Sequence, residues 1–130
     1  MKRVDIVMYD TFVEFYTDKE AFKKRYNEIS DGEDFVTDRD LSNGYGFTGY
    51  NEEEGKQAIL VYINQGNYRD NLAGVMGTLA HEIFHVVMVV CRRIGHNPTR
   101  EDEPMAYLTG YLFREAADYF SEAFNKRAGD

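Results

Sequence analysis

The residues with the most chemical promise are His81-Glu82-Ile83-Phe84-His85. On a helix, side chains four positions apart lie one turn above each other on the same face, so both imidazoles can reach one ion. Glu82, a single step round from His81, borders that ion. Imidazole nitrogen is a good zinc ligand, and a neighbouring carboxylate can take a proton from a water that the metal has activated. The competing reading is structural: two hydrogen-bonded histidines on an apolar helix, with Glu82 on its solvated edge. Three features favour the metal. The motif falls mid-helix, inside Gly77–Val87. Gly74 and Gly77 each cost about 1 kcal/mol against Ala and imply a packing need on or beside the histidine face. An acidic helix entrance also recurs downstream, at Asp102-Glu103-Pro104.

A catalytic zinc takes three protein ligands and keeps a fourth position open. The motif supplies two. His96 lies beyond a Gly turn and lacks the extended glycine-containing spacer of three-histidine zincins. Glu103 is better placed. Pro104 confines the helix start, so Glu103 belongs to the first turn, while Asp102 serves as a cap and Glu101 precedes it. An antiparallel return would carry Glu103 to the histidine face. It would share that face with Ala106, Tyr107 and Gly110, whose small or flat side chains permit close approach.

His81-Glu82-x-x-His85 followed by Glu103-Pro104-Met105-Ala106-Tyr107-Leu108 resembles the zincin superfamily in its two-histidine, one-glutamate branch. More narrowly, the chain resembles short zincin-like metallopeptidases encoded by phages and prophages. The resemblance spans the strand at Ile59 through the last helix and is weaker over Val4 to Tyr50. It implies His81, His85 and Glu103 as ligands of a zinc ion, Glu82 as general base and a peptide or protein as substrate. The longer signature around the third ligand is missing, as is a helix-turn-helix domain of the repressor-cleaving type. Tyr107, one turn after Glu103, is a candidate to stabilise the oxyanion, against the plainer reading of a core aromatic. Tyr111 is a lesser one.

These residues need elements to hold them. Strands are expected near Val4–Met8 and over Phe12–Tyr16, then a helix from Asp18 to about Ile29 with a capping box opened by Thr17 and closed by Glu20. Ser30 to Asn43 reads as a solvated loop. Its carboxylates at 31, 33, 34, 38 and 40 lack the ligand order of a calcium hand. Gly44–Tyr50 and Gln57–Asn64 form a hairpin around a turn at Asn51–Lys56. The second strand is apolar on both faces and therefore covered on both sides. Glycines 44, 46 and 49 indicate close approach by another element or chain. An extended substrate could add to this strand. Asp70 or Asn71 caps a long helix ending near Ile94, with Gly95 at its C-terminus, and a last helix runs from Glu103 to about Lys126. Ala106, Tyr107, Gly110, Phe113, Ala117 and Phe120 are read as its apolar stripe. The fold class is α+β: a single domain with a short antiparallel or mixed sheet packed on the His81–His85 helix and a C-terminal helix.

Composition narrows the partners. The chain has 130 residues, with 23 acidic and 15 basic side chains and a net charge of −8. Such a body repels phosphate, so nucleic acids and anionic membranes are poor partners. The longest apolar run, Val86–Cys91, is too short to span a bilayer. Met1-Lys2-Arg3 leads into no apolar segment of a secretion signal. The lone Cys91 is read as a small buried residue in a reducing cytoplasm, which would be a bacterial host's if a phage encodes the chain. The expected function is a zinc-dependent peptidase. The alternatives are a zinc-binding, non-catalytic interaction module of phage origin, and an acidic decoy for a basic nucleic-acid-binding surface. Retention of Glu82 argues against the module, because zinc binding alone does not need it.

Overall fold

The computed structural model describes residues 1–30, 36–68, 71–100 and 102–129. Four strands, β1 (Lys2–Ile6), β2 (Thr11–Tyr16), β3 (Gly46–Glu53) and β4 (Lys56–Ile63), form one sheet in the order β1-β2-β4-β3. β1 with β2 and β3 with β4 are antiparallel, while β2 and β4 run parallel. The helices are α1 (Lys19–Ile29), α2 (Asp38–Asn43), α3 (Leu72–Ile94) and α4 (Glu103–Gly129). The expected mixed α+β domain is therefore present.

Alternation along the inner strands builds two cores. Ile59, Val61 and Ile63 of β4 join Val13 and Phe15 of β2 beneath α3 and α4, whereas Ala58, Leu60 and Tyr62 turn to Phe22, Tyr26 and Ile29 of α1. This explains the doubly apolar β4 sequence. The hairpin turns tightly at Glu54-Gly55, both with positive φ (52° and 81°), as a two-residue turn matched to strand twist requires.

Several local expectations need correction. Asp18, not Thr17, caps α1, its carboxylate accepting the Ala21 N–H at 3.1 Å, and the Thr17 hydroxyl instead faces that of Tyr119 at 3.4 Å. The segment before β3 is not all loop: Thr37 and Asp40 form a reciprocal capping box that starts α2. Asp38 pairs with Lys23 at 2.7 Å and lies 3.7 Å from Lys19. The Lys23 hydrogen bond on Asp38, and the Thr37 backbone N–H on Asp40, hold both carboxyls below their ordinary range. Both are thus engaged by the fold, while Asp31, Glu33 and Asp34 lie outside the described residues. Asn71 caps α3, accepting the Gly74 N–H at 3.0 Å, and Gly95 closes it with φ 69°. The other candidate cap, Asp70, also lies outside the described residues.

α3 is longer and more apolar than its uninterrupted run suggests. Its 23 residues include an 18-residue stretch of mean hydropathy 1.6, which meets the length and composition of a membrane span. The helix is nevertheless the centre of the larger core, with Val75, Leu79, Ile83, Val86 and Val90 all buried. The expected stripe of α4 holds in its second half, where Phe120 is buried and Phe113 and Ala117 pack against the core, but not in its first. Met105, Leu108, Leu112, Ala116, Phe120 and Phe124 are buried, whereas Ala106, Tyr107 and Gly110 are exposed. Two apolar stripes compete in this aromatic-rich helix, and the one with the longer side chains faces the core.

Candidate metal centre

α3 lies along the edge strand β3 and presents the histidine motif beside it. The helix forms because its aliphatic residues bury at turn spacing, which leaves His81 and His85 on the exposed side and Glu82 at the boundary with β3. The two imidazole Nε2 atoms converge to 3.2 Å. Two nitrogens bound tetrahedrally at about 2.0–2.1 Å from a zinc ion stand about 3.3 Å apart, so the pair has the spacing the ion needs. One ligand atom from each of His81, Glu82 and His85 lies within 4.8 Å of the others. The two imidazoles therefore fit as two ligands of a zinc ion, and apart from Glu82 no third protein ligand joins them among the described residues.

Glu82 is only 5% exposed, and its Oε2 accepts the Thr48 hydroxyl of β3 at 2.8 Å. Its side chain crosses over Gly46, where a Cβ would stand 3.0 Å from the glutamate Cγ and Oε1 and 3.0 Å from Thr78 Cγ2. Close approach by another element, read from the glycines of this strand, is thus made at Gly46 by α3. At Gly49 it is made on the opposite face by α1, where a Cβ would meet the Tyr26 ring at 2.3 Å. A side chain at position 46 would therefore press on Glu82 itself.

A groove of two lobes runs between β3 and α3. One, of about 420 Å³, is lined by Tyr45, Gly74, Gly77 and Thr78. The other, of about 370 Å³, is lined by Thr48, Tyr50, His85, Val89 and Arg92. Gly46, His81 and Glu82 border both, so the candidate metal site sits at their junction.

The structure does not bring the remaining candidates to this junction. Glu103 is exposed in the first turn of α4, and Tyr107 is 73% exposed further along. Neither borders the groove. Both stand two residues from the buried Met105, about 200° round the helix, so the stripe that packs α4 directs them outward. Tyr111 is likewise exposed, at 39%. Cys91 is buried as expected, and desolvation pushes its thiol up. Gly77 answers no packing need, since a Cβ there would meet nothing within 4 Å. Its effect is to widen the first lobe. Gly77→Ala should accordingly stabilise the protein by about 1 kcal/mol, a rise of about 3–5 °C in Tm by calorimetry. An unchanged or lower Tm would show that the glycine serves the packing after all.

Thr48, Tyr45, Tyr50 and Arg92 were not among the residues picked out from sequence. The signals existed: Thr48 and Tyr50 follow Gly46 at strand period two, and Arg92 follows His85 by seven, two helical turns on the same face. Comparison of the chain with known protein families, curated proteins and solved structures gives no match.

Proposed function

We propose that the protein is a zinc-dependent peptidase. The observation that carries the reading is the convergence of the His81 and His85 Nε2 atoms at 3.2 Å beside a buried Glu82, at the middle of an open groove. His81 and His85 would hold the ion, and zinc, when bound there, supplies a Lewis acid and makes a water acidic enough to attack near neutral pH. The chain's own residues do the rest. Glu82 takes the proton from the attacking water and returns it to the leaving amine. The Thr48 hydroxyl occupies Oε2 and so orients the carboxylate. β3 offers an edge along which an extended peptide can lie, with Tyr45 in one lobe of the groove and Tyr50 in the other. Peptide or protein substrate, a phage-encoded origin and action in the bacterial cytoplasm belong to the same proposal.

Glu82 favours catalysis over a purely zinc-binding module, because its carboxylate is buried and oriented where a structural site would have no use for it. The ligand set is testable apart from activity. After dialysis, elemental analysis should give one zinc per chain, and His85→Ala should remove it. Ligands bind metal deprotonated, so affinity should fall as pH drops through the histidine range. The resemblance implies Glu103 as third ligand and Tyr107 as oxyanion donor, but both are exposed away from the groove and the proposal leaves them out. With α4 placed as it is, Glu103→Ala should bind zinc as the parent does. Loss of zinc in that variant would show that the first turn of α4 closes over the histidines. Zinc content near zero in the parent, with stability unchanged by chelator, would refute the site.

A further inference from the structure

We propose that Arg92 reads a carboxylate on the bound peptide, so that the groove selects substrates carrying an acidic group about three residues from the histidine pair. The inference rests on the reading of this groove as the peptide site and names the substrate class it takes. Arg92 lines the same lobe as Thr48, Tyr50 and His85. Seven residues separate it from His85, nearly two full turns, so the two side chains leave α3 on one face about 10 Å apart. An extended peptide advances about 3.3 Å per residue, which puts about three residues between the two positions.

Arg92 is also unengaged, with no hydrogen bond or ion pair to any described residue. Its neighbour shows the contrast: Arg93 is held by the Glu52 carboxylate and donates to the Gly55 carbonyl at 3.3 Å. Both arginines complement the carbonyl end of the α3 dipole, so helix stability alone does not account for the contrast. A guanidinium left open in a groove presents a planar fork matched to a carboxylate. The chain as a whole carries a net charge of −8 and repels acidic peptides, so an open guanidinium in the groove marks where such a peptide would dock.

The carboxylate could be an Asp or Glu side chain or the substrate's own C-terminus. Binding is measured by fluorescence anisotropy on zinc-loaded Glu82→Gln protein, with fluorescein-labelled, C-terminally amidated alanine-rich peptides in which a single Glu is moved along the chain. Gln and Lys versions serve as references, and an alanine-rich peptide with a free C-terminus reports the other source. One Glu position should bind roughly fivefold tighter than its Gln counterpart, the scale of a partly solvated ion pair. Arg92→Gln should abolish the preference and Arg92→Glu should turn it toward Lys. A preference confined to the free C-terminus would assign Arg92 to terminal carboxylate capture. Equal binding of Glu, Gln and free-terminus peptides, a preference untouched by Arg92→Glu, or no binding at all would overturn the proposal. Cleavage of peptides without any acidic preference sinks it and leaves the peptidase reading intact. An Arg92-dependent preference in a zinc-loaded parent that cleaves none of these peptides does the reverse.

Discussion

Glu82→Gln should keep a full complement of zinc and lose peptide hydrolysis by about 10²–10⁴-fold, the usual contribution of a positioned general base. The amide is isosteric with the carboxylate, and its oxygen can still accept the Thr48 hydroxyl that now bonds Oε2 at 2.8 Å. Packing around position 82 should therefore survive, and so should the separate convergence of His81 and His85. Only the capacity to take a proton is removed. Zinc by elemental analysis and turnover of a mixed peptide library, with and without chelator, read the two effects separately. Parallel loss of zinc and turnover would make Glu82 a ligand rather than a base. Unchanged turnover would remove it from the chemistry.

The largest loss of stability is expected far from the groove, at Arg25 of α1. Its guanidinium bonds Glu14 at 3.0 Å and both oxygens of Glu53 at 2.7 Å. Glu14 lies on a central strand and is only 3% exposed. Besides Arg25 it has the Tyr16 hydroxyl, donating at 2.6 Å, and Arg3 at 3.9 Å. Burial, followed by that bond to Glu14, pushes the Tyr16 phenol well above its ordinary range. Arg25→Ala leaves a buried carboxylate without its main partner, which costs about 3 kcal/mol or more. Urea unfolding at neutral pH measures it.

The same cluster sets a pH dependence. The Arg25 hydrogen bonds hold the Glu53 carboxyl below its ordinary range. A depressed carboxyl contributes stability above its unfolded pKa, and that contribution disappears as pH falls through the folded value. The gap between parent and Arg25→Ala should therefore be widest near neutrality and narrow on acidification through the carboxylate range. A gap independent of pH would mean that Arg25 stabilises by packing alone.

What was legible in the sequence follows from local periodicity. Helical spacing put His81, Glu82 and His85 on one turn of a long helix, and the structure keeps them there because nothing beyond that turn is needed to bring i and i+4 together. The doubly apolar β4 and the hairpin were legible for the same reason: each residue's environment follows from its immediate neighbours along the strand. Which stripe of α4 faces the core was not. Ala106-Tyr107-Gly110 and Met105-Leu108-Leu112 both satisfy helical spacing, and only the shape of the α3 and sheet surface chooses between them. That choice carries Glu103 and Tyr107 to the solvent. Tertiary structure likewise decided the groove. Thr48 reaches Glu82 across 34 residues of chain because β3 is the edge strand beside α3, a strand order that no local pattern encodes. The sequence by itself thus determined the two-histidine, one-glutamate turn. The packing of β3 and α4 against α3 determined which groups stand around that turn, since contacts between elements depend on how whole faces fit and not on spacing within one of them.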